Sequence, residues 1–188
     1  MIPLLSMAQD TTKAWTTGAQ LNFTFSQTAL SNWQAGGENA LSGNALFNAF
    51  ANRSVGAWHW ENMLDIAYGV NIVDGEFTKT DDRLEFNSKI GHDLTNPHWR
   101  ATGAFTFRTQ FYEGIDDDDI RISDWMAPGY VFIGLGADYV PHENLSVYLS
   151  PITTKITIVT DQDLANDGAF GVDAAILDTA GNVITAGQ

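Results

Sequence analysis

The stretch WRATGAFTFRTQF, Trp99 to Phe111, admits one regular backbone. Every second residue from Trp99 gives Trp99, Ala101, Gly103, Phe105, Phe107, Thr109 and Phe111; the other set gives Arg100, Thr102, Ala104, Thr106, Arg108 and Gln110. A repeat of two with one apolar and one polar side is that of a β-strand, because a helix would mix the two sets on every face. The same alternation recurs along the chain. LNFTFSQ sets Leu21, Phe23 and Phe25 against Asn22, Thr24 and Ser26, and LSGNALFNAFAN sets Leu41, Ala45, Phe47 and Ala49 against Ser42, Asn44, Asn48 and Asn52, with Leu46 and Phe50 breaking the pattern. WHWENMLDIAYG, RLEFNSKIG, YVFIGLGADYV and the long NLSVYLSPITTKITIV follow the same rule. No window favours a helical period, so the chain is expected to be all-β and antiparallel, with about seven strands.

Which face meets water decides the class. RSVGA (Arg53 to Ala57), DLTNPH (Asp93 to His98) and PHEN (Pro141 to Asn144) have the Gly, Pro, Asn and Asp of tight turns. Between them lie VNIVDGEFTKT, YEGIDDDDIRISDWMAP and the residues after Thr160, which read as long links. Short and long connections in alternation put all turns at one end and all loops at the other, as in up-and-down transmembrane barrels. On that reading Glu61, Asp65, Arg83, Glu85, Lys89, Arg100, Arg108 and Asp138, all on polar faces, line a wet lumen. Trp58, Trp60, Tyr68, Trp99, Phe105, Phe107 and Phe111 are expected against lipid or at headgroup level, where an amphipathic ring meets both phases. The segments are close to or above the roughly 9–11 residues that a tilted crossing needs.

Composition narrows the alternatives. A chain of 188 residues fits one domain. A net charge of -14 with only nine Lys and Arg argues against a nucleic-acid surface. Without cysteine there is no disulfide framework and no thiolate metal site. No apolar run approaches the roughly 20 residues of a spanning helix, so a membrane role has to be carried by strands. MIPLLSMAQD resembles the end of a secretory signal, with Ser6-Met7-Ala8 as the cleavage site. The expected organisation is a signal remnant at 1–8, a periplasmic segment at 9–19, barrel strands over 20–159, and an extracellular loop with a small hairpin over 160–188, the whole an N-terminal fragment of a larger barrel.

SNWQAGGEN, Ser31 to Asn39, is dense in glycine, but a phosphate loop would lead into a helix and here a strand follows, so it reads as a turn. Together with WENMLDIAYG, KTDD (Lys79 to Asp82), FRTQF, MAP (Met126 to Pro128) and LSP (Leu149 to Pro151), it resembles an uncharacterised outer-membrane β-barrel family, number 3078 among the domains of unknown function. The resemblance runs over nearly the whole chain from about Trp15. It implies a β-barrel with further strands beyond those present here, since seven is an odd number and bacterial single-chain barrels close with an even one. It implies no activity, substrate or catalytic residue.

His59, Glu61 and Asp65 share one face of one strand, and the default reading is paired lumen charge. A catalytic role would need His59, Glu61 and a Ser or Thr within about 3 Å of one another near the barrel rim. The acidic run Asp116, Asp117, Asp118 and Asp119 is a candidate for weak calcium binding through carboxylate oxygens. DQDLANDG departs from a calcium loop at Ala165 and Asn166, and AILDTAGNVI has the turn residues of a small hairpin. The sequence therefore predicts an exported outer-membrane barrel of structural or transport type, in contact with outer-membrane lipid, with no cofactor and no resident metal. A secreted lipocalin-like barrel with an apolar ligand and an outer-membrane hydrolase are the rivals.

Overall fold

Seven long strands form one antiparallel sheet in the order β1-β2-β3-β4-β5-β8-β9. They are β1 (Trp15–Thr28), β2 (Ala40–Val55), β3 (Trp58–Val73), β4 (Glu76–Asp93), β5 (Trp99–Thr109), β8 (Gly129–His142) and β9 (Leu145–Ile158). Two short strands, β6 (Gly114–Ile115) and β7 (Arg121–Ser123), form a hairpin inside the link from β5 to β8. The computed structural model describes residues 15–30, 37–96, 98–116, 118–142 and 144–188. The expected signal remnant, most of the SNWQAGGEN turn and Asp117 lie outside the described residues. The sheet is not closed: β1 and β9 are its two edges. Strand pairing starts at Trp15, inside the segment expected to precede the barrel.

Each strand pairs with the next in sequence, apart from the β6–β7 excursion, so every connection is a hairpin. At one end of the sheet the links are short: two residues, Gly56 and Ala57, join β2 to β3, two join β8 to β9, and five join β4 to β5. At the other end the β1–β2 and β5–β8 links are long. One expected long link is corrected here. In VNIVDGEFTKT the strands run on to Val73 and restart at Glu76, leaving only Asp74 and Gly75 as the turn. Both have positive φ, 50° and 92°, as a type I′ turn requires, and Asp-Gly is among the dipeptides that best tolerate it. The alternation of short and long links is therefore incomplete.

Antiparallel partners share a face, so register shows how the two residue sets lie. Leu64 pairs with Phe86, Phe86 with Phe107, Phe107 with Val131 and Val131 with Ile156, one unbroken apolar row across five strands. Leu21, Phe47, Ile66 and Leu84 make another. The apolar face is the open one: Phe23 is 76% exposed and Leu135 53%. Small and polar residues of the opposite face are sheltered instead, with Ala67 at 0% and Thr102 at 5%. The sheet is thus wound with its polar side inward.

Three irregularities adjust the register, one of them a shift between Tyr139 and His142 beside the β8–β9 turn. In β4 Thr80 is an extra residue, between Asp81 paired with Gly69 and Lys79 paired with Val70. In β9 Ser150 and Pro151 together oppose Gly136. Proline lacks the ladder donor and is confined to edges and bulges, and Pro151 occupies both. After β9, Asp161 caps a five-residue helix, α1 (Gln162–Asn166), accepting from the amides of Asp163 and Leu164 at 3.0 Å. A helix this short has no period to betray it in sequence. The expected hairpin forms from β10 (Ile176–Leu177) and β11 (Val183–Thr185). Its turn is held by Asp178: the Asn182 side chain, together with the Asn182 and Ala180 amides, keeps that carboxyl below its ordinary range.

A Cβ on Gly136 would overlap the Leu149 carbonyl at the bulge, where backbone and not a movable side chain is in the way. Gly136→Ala is expected to destabilise the sheet by about 1–3 kcal/mol, read as a lower urea midpoint. Gly103→Ala, where a Cβ meets only the Leu135 and Ile90 side chains at ordinary distance, should not lower it.

Candidate functional site

The polar face gathers the charged residues that alternation singled out. By register Glu61 pairs with Lys89, Asp65 with Glu85, Glu85 with Arg108, Ala67 with Arg83, and Arg100 with Asp138, which places all eight predicted polar positions on one side of the sheet. The structure ties some of them together. Lys89 Nζ lies 3.1 Å from an Asp138 carboxylate oxygen and 3.6 Å from Glu61. To reach β8 it crosses β5, and the residue beside it there is Ala104, too small to block the way. Asp138 is 2% exposed. Besides Lys89 it accepts from the Thr102 hydroxyl at 3.3 Å and the Ser146 hydroxyl at 3.4 Å. A buried carboxylate needs this many partners to offset its lost hydration.

The remaining predicted charges are dispersed. Asp65 accepts from the Asn48 amide and Glu85 from the Asn87 amide. Arg83 and Arg108 are in no ion pair among the described residues, and Arg83 Nε is buried without a hydrogen-bond partner there. The two residues that broke the alternation, Leu46 and Phe50, lie on this polar side with Met63. Phe50 and Met63 line a cavity of about 570 Å³ together with Asn52, Glu61, Asn87 and Lys89.

At the turn end of the same face sits a second cluster. His59 Nε2 lies 3.0 Å from Asp93 Oδ2, and His59 Nδ1 lies 3.2 Å from Ser54 Oγ. Arg100 Nε donates to the other Asp93 oxygen at 2.8 Å. The fold explains the meeting. Ser54 and His59 face each other across the tight β2–β3 turn, and Gly91, opposite His59 on β4, leaves the imidazole room to lean toward Asp93 two residues on. Sequence reading grouped His59 with Glu61 and Asp65 by strand parity. Glu61 instead pairs with Lys89, and the partners of His59 come from neighbouring strands. Ser54 was legible in principle, since a two-residue turn after Val55 fixes its register with His59; Asp93 needed the β3–β4 register as well.

Of the predicted aromatics, Trp58, Trp60, Tyr68, Trp99, Phe105 and Phe107 share the apolar face. Phe111 falls two residues beyond the end of β5 and stacks on Trp125 at 6.1 Å between ring centroids. Aromatic residues crowd the turn end of that face: Trp15 meets Trp60 at 5.3 Å, Trp99 meets Tyr139 at 4.9 Å, and the Arg53 guanidinium lies over the Trp15 ring. In the acidic run, Asp116 accepts from the amides of Asp118 and Ile120, so one of its oxygens is spent within its own turn. Among the described residues no group of three or more acidic or histidine side chains converges as a metal site would.

Residues 25–115 match the model of a family described as "Protein of unknown function (DUF3078)". The match spans a little under half of the chain, from the end of β1 to β6, and so takes in both clusters except for Asp138 and Ser146. It supports the family resemblance over that range; MAP and LSP lie outside it. No curated protein and no solved structure matches the chain.

Lys89→Met leaves Asp138 buried without its cation and is expected to cost about 3 kcal/mol, measured from urea midpoints. Adding Asp138→Asn should recover most of that loss, so the two changes will be strongly non-additive.

Proposed function

We propose that this chain is part of an exported outer-membrane β-barrel of structural or transport type, a member of the family its residues 25–115 match. Its apolar face lies against lipid and its polar face lines the interior. The observation that carries this reading is the continuity of the exposed apolar face over all seven strands, from Phe23 on β1 to Ile152 on β9. A water-soluble protein seldom exposes a contiguous apolar patch beyond a few hundred Å². Lipid removes that penalty.

The aromatic distribution suits the same setting. Trp58 and Tyr68 are ten residues apart on β3, which is about 33 Å along a strand and about 25 Å of height at a ~40° tilt, the height of a barrel's apolar band. Arg53, on the apolar face, stands at the aromatic end where a guanidinium reaches headgroup phosphate. In hydrocarbon every backbone donor must be paired, so the β1 and β9 edges have to be covered by strands additional to these seven. β1 and β9 run in the same direction in this up-and-down order, so closure by antiparallel pairing takes an odd number of further strands.

A lipocalin-like barrel would turn its apolar side chains to the sheltered side. Register places few large ones there, chiefly Leu46, Phe50, Met63 and Phe132. Expression of the complete gene tests the choice between the two. The protein should remain with the membranes after a carbonate wash and come out only with detergent; recovery as a monodisperse soluble protein without detergent would contradict the proposal.

A further inference from the structure

We propose that Ser54, His59 and Asp93 form an acyl-ester hydrolase site at the turn end of the polar face, and that the cavity lined by Phe50 and Met63 holds the acyl chain of its substrate. Nothing in the barrel reading requires such a site. The protonation pattern follows from the partners. A carboxylate has no proton to donate, so Asp93 accepts from His59 Nε2–H, and the Nδ1 lone pair is left facing the Ser54 hydroxyl. That is the tautomer a general base needs to take the proton from a nucleophile. Ser54 is open to solvent, while the side chains of His59 and Asp93 are partly sheltered, at 22% and 32% exposed. Arg100 fixes the carboxylate from β5.

The cavity supplies a substrate class. Asn52, two residues before Ser54 on β2 and on the same face, lines it, so it opens about 7 Å from the nucleophile along the strand. Beyond Asn52 come Phe50 and Met63, two of the few large apolar side chains on a mostly polar face. An apolar acyl chain of medium length, attached through an ester to a water-soluble alcohol, fits that sequence of surfaces. In the first step Ser54 Oγ bonds to the carbonyl carbon, its proton passes to His59 Nδ1 and on to the departing alkoxide, and the ester C–O bond breaks. Water then attacks the acyl-serine, His59 takes its proton and returns it to Ser54 Oγ, and the carboxylic acid leaves. Asp93 is a positioning residue, acting through His59. The charged groups facing His59 are Glu61 on its own strand, Lys89 and Asp93 on β4, and Arg100 on β5.

The protein expressed from the complete gene and held in detergent micelles is treated with a fluorophosphonate probe and digested for mass spectrometry, and hydrolysis of p-nitrophenyl acetate and octanoate is followed in parallel. The adduct should sit on Ser54. Ser54→Ala should lose it and lower octanoate hydrolysis by about 100-fold or more, with His59→Gln close behind. Met63→Gln should lower kcat/KM for octanoate about tenfold relative to acetate. Asp93→Asn should lower kcat for octanoate with KM unchanged, and Asp93→Glu should restore part of the loss; a loss of packing alone would not split the two constants in this way. The wild-type labelling depends on no variant folding. An unlabelled Ser54 in the folded protein, or Ser54→Ala hydrolysing octanoate at the wild-type rate, overturns the proposal.

Discussion

Pairing of like with like across an antiparallel ladder governs the whole molecule. Each strand alternates with a period of two, and register brings apolar residues opposite apolar ones at every step from β1 to β9. A one-residue slip at any junction would carry rings to the polar side and charges to the apolar one. The result is a single sheet with a greasy face and no second layer to cover it. In a sandwich that face would meet another sheet; here the described residues outside the sheet offer two short hairpins, a five-residue helix and a three-residue 3-10 turn, far too little to cover it. On the proposed reading, lipid is the missing layer.

Charge on the other face follows from the same constraint. Lys89 bridges β4 and β8, and Arg100, Asp93, His59 and Ser54 link four successive strands at the turn end. These contacts cross strands rather than run along them, so they hold register as well as balance charge. The gap in this arrangement is the apolar floor made by Phe50 and Met63, which no charge-pairing argument accounts for. A cavity with one greasy wall beside a serine and a histidine is chemically different from a plain water-filled lumen.

Much of this was legible in the sequence, because a period of two is short-ranged and survives without tertiary information. The seven strands, their faces and the position of the eight predicted lumen charges on one side follow from parity alone. What parity does not reveal is which residues touch. His59 lies on the same strand and face as Glu61, yet its partners are Ser54 and Asp93, and finding them requires the registers of two junctions. The link through Asp74 and Gly75 was misjudged because polar residues such as Asn71, Thr78 and Lys79 look like loop, whereas they extend the strands beyond the apolar band, where polar side chains carry no penalty. The match to a known family ends at residue 115 and leaves β8, β9 and the tail to physical argument alone.

Spin labels placed singly at Ile133 and at Thr106, on opposite faces of neighbouring strands, test the central claim in the protein reconstituted into lipid vesicles. If the apolar face lies in hydrocarbon, the label at Ile133 will collide readily with oxygen and hardly with a water-soluble nickel complex, and the label at Thr106 will show the reverse preference. Nickel access at Ile133 equal to that at Thr106 would contradict the account.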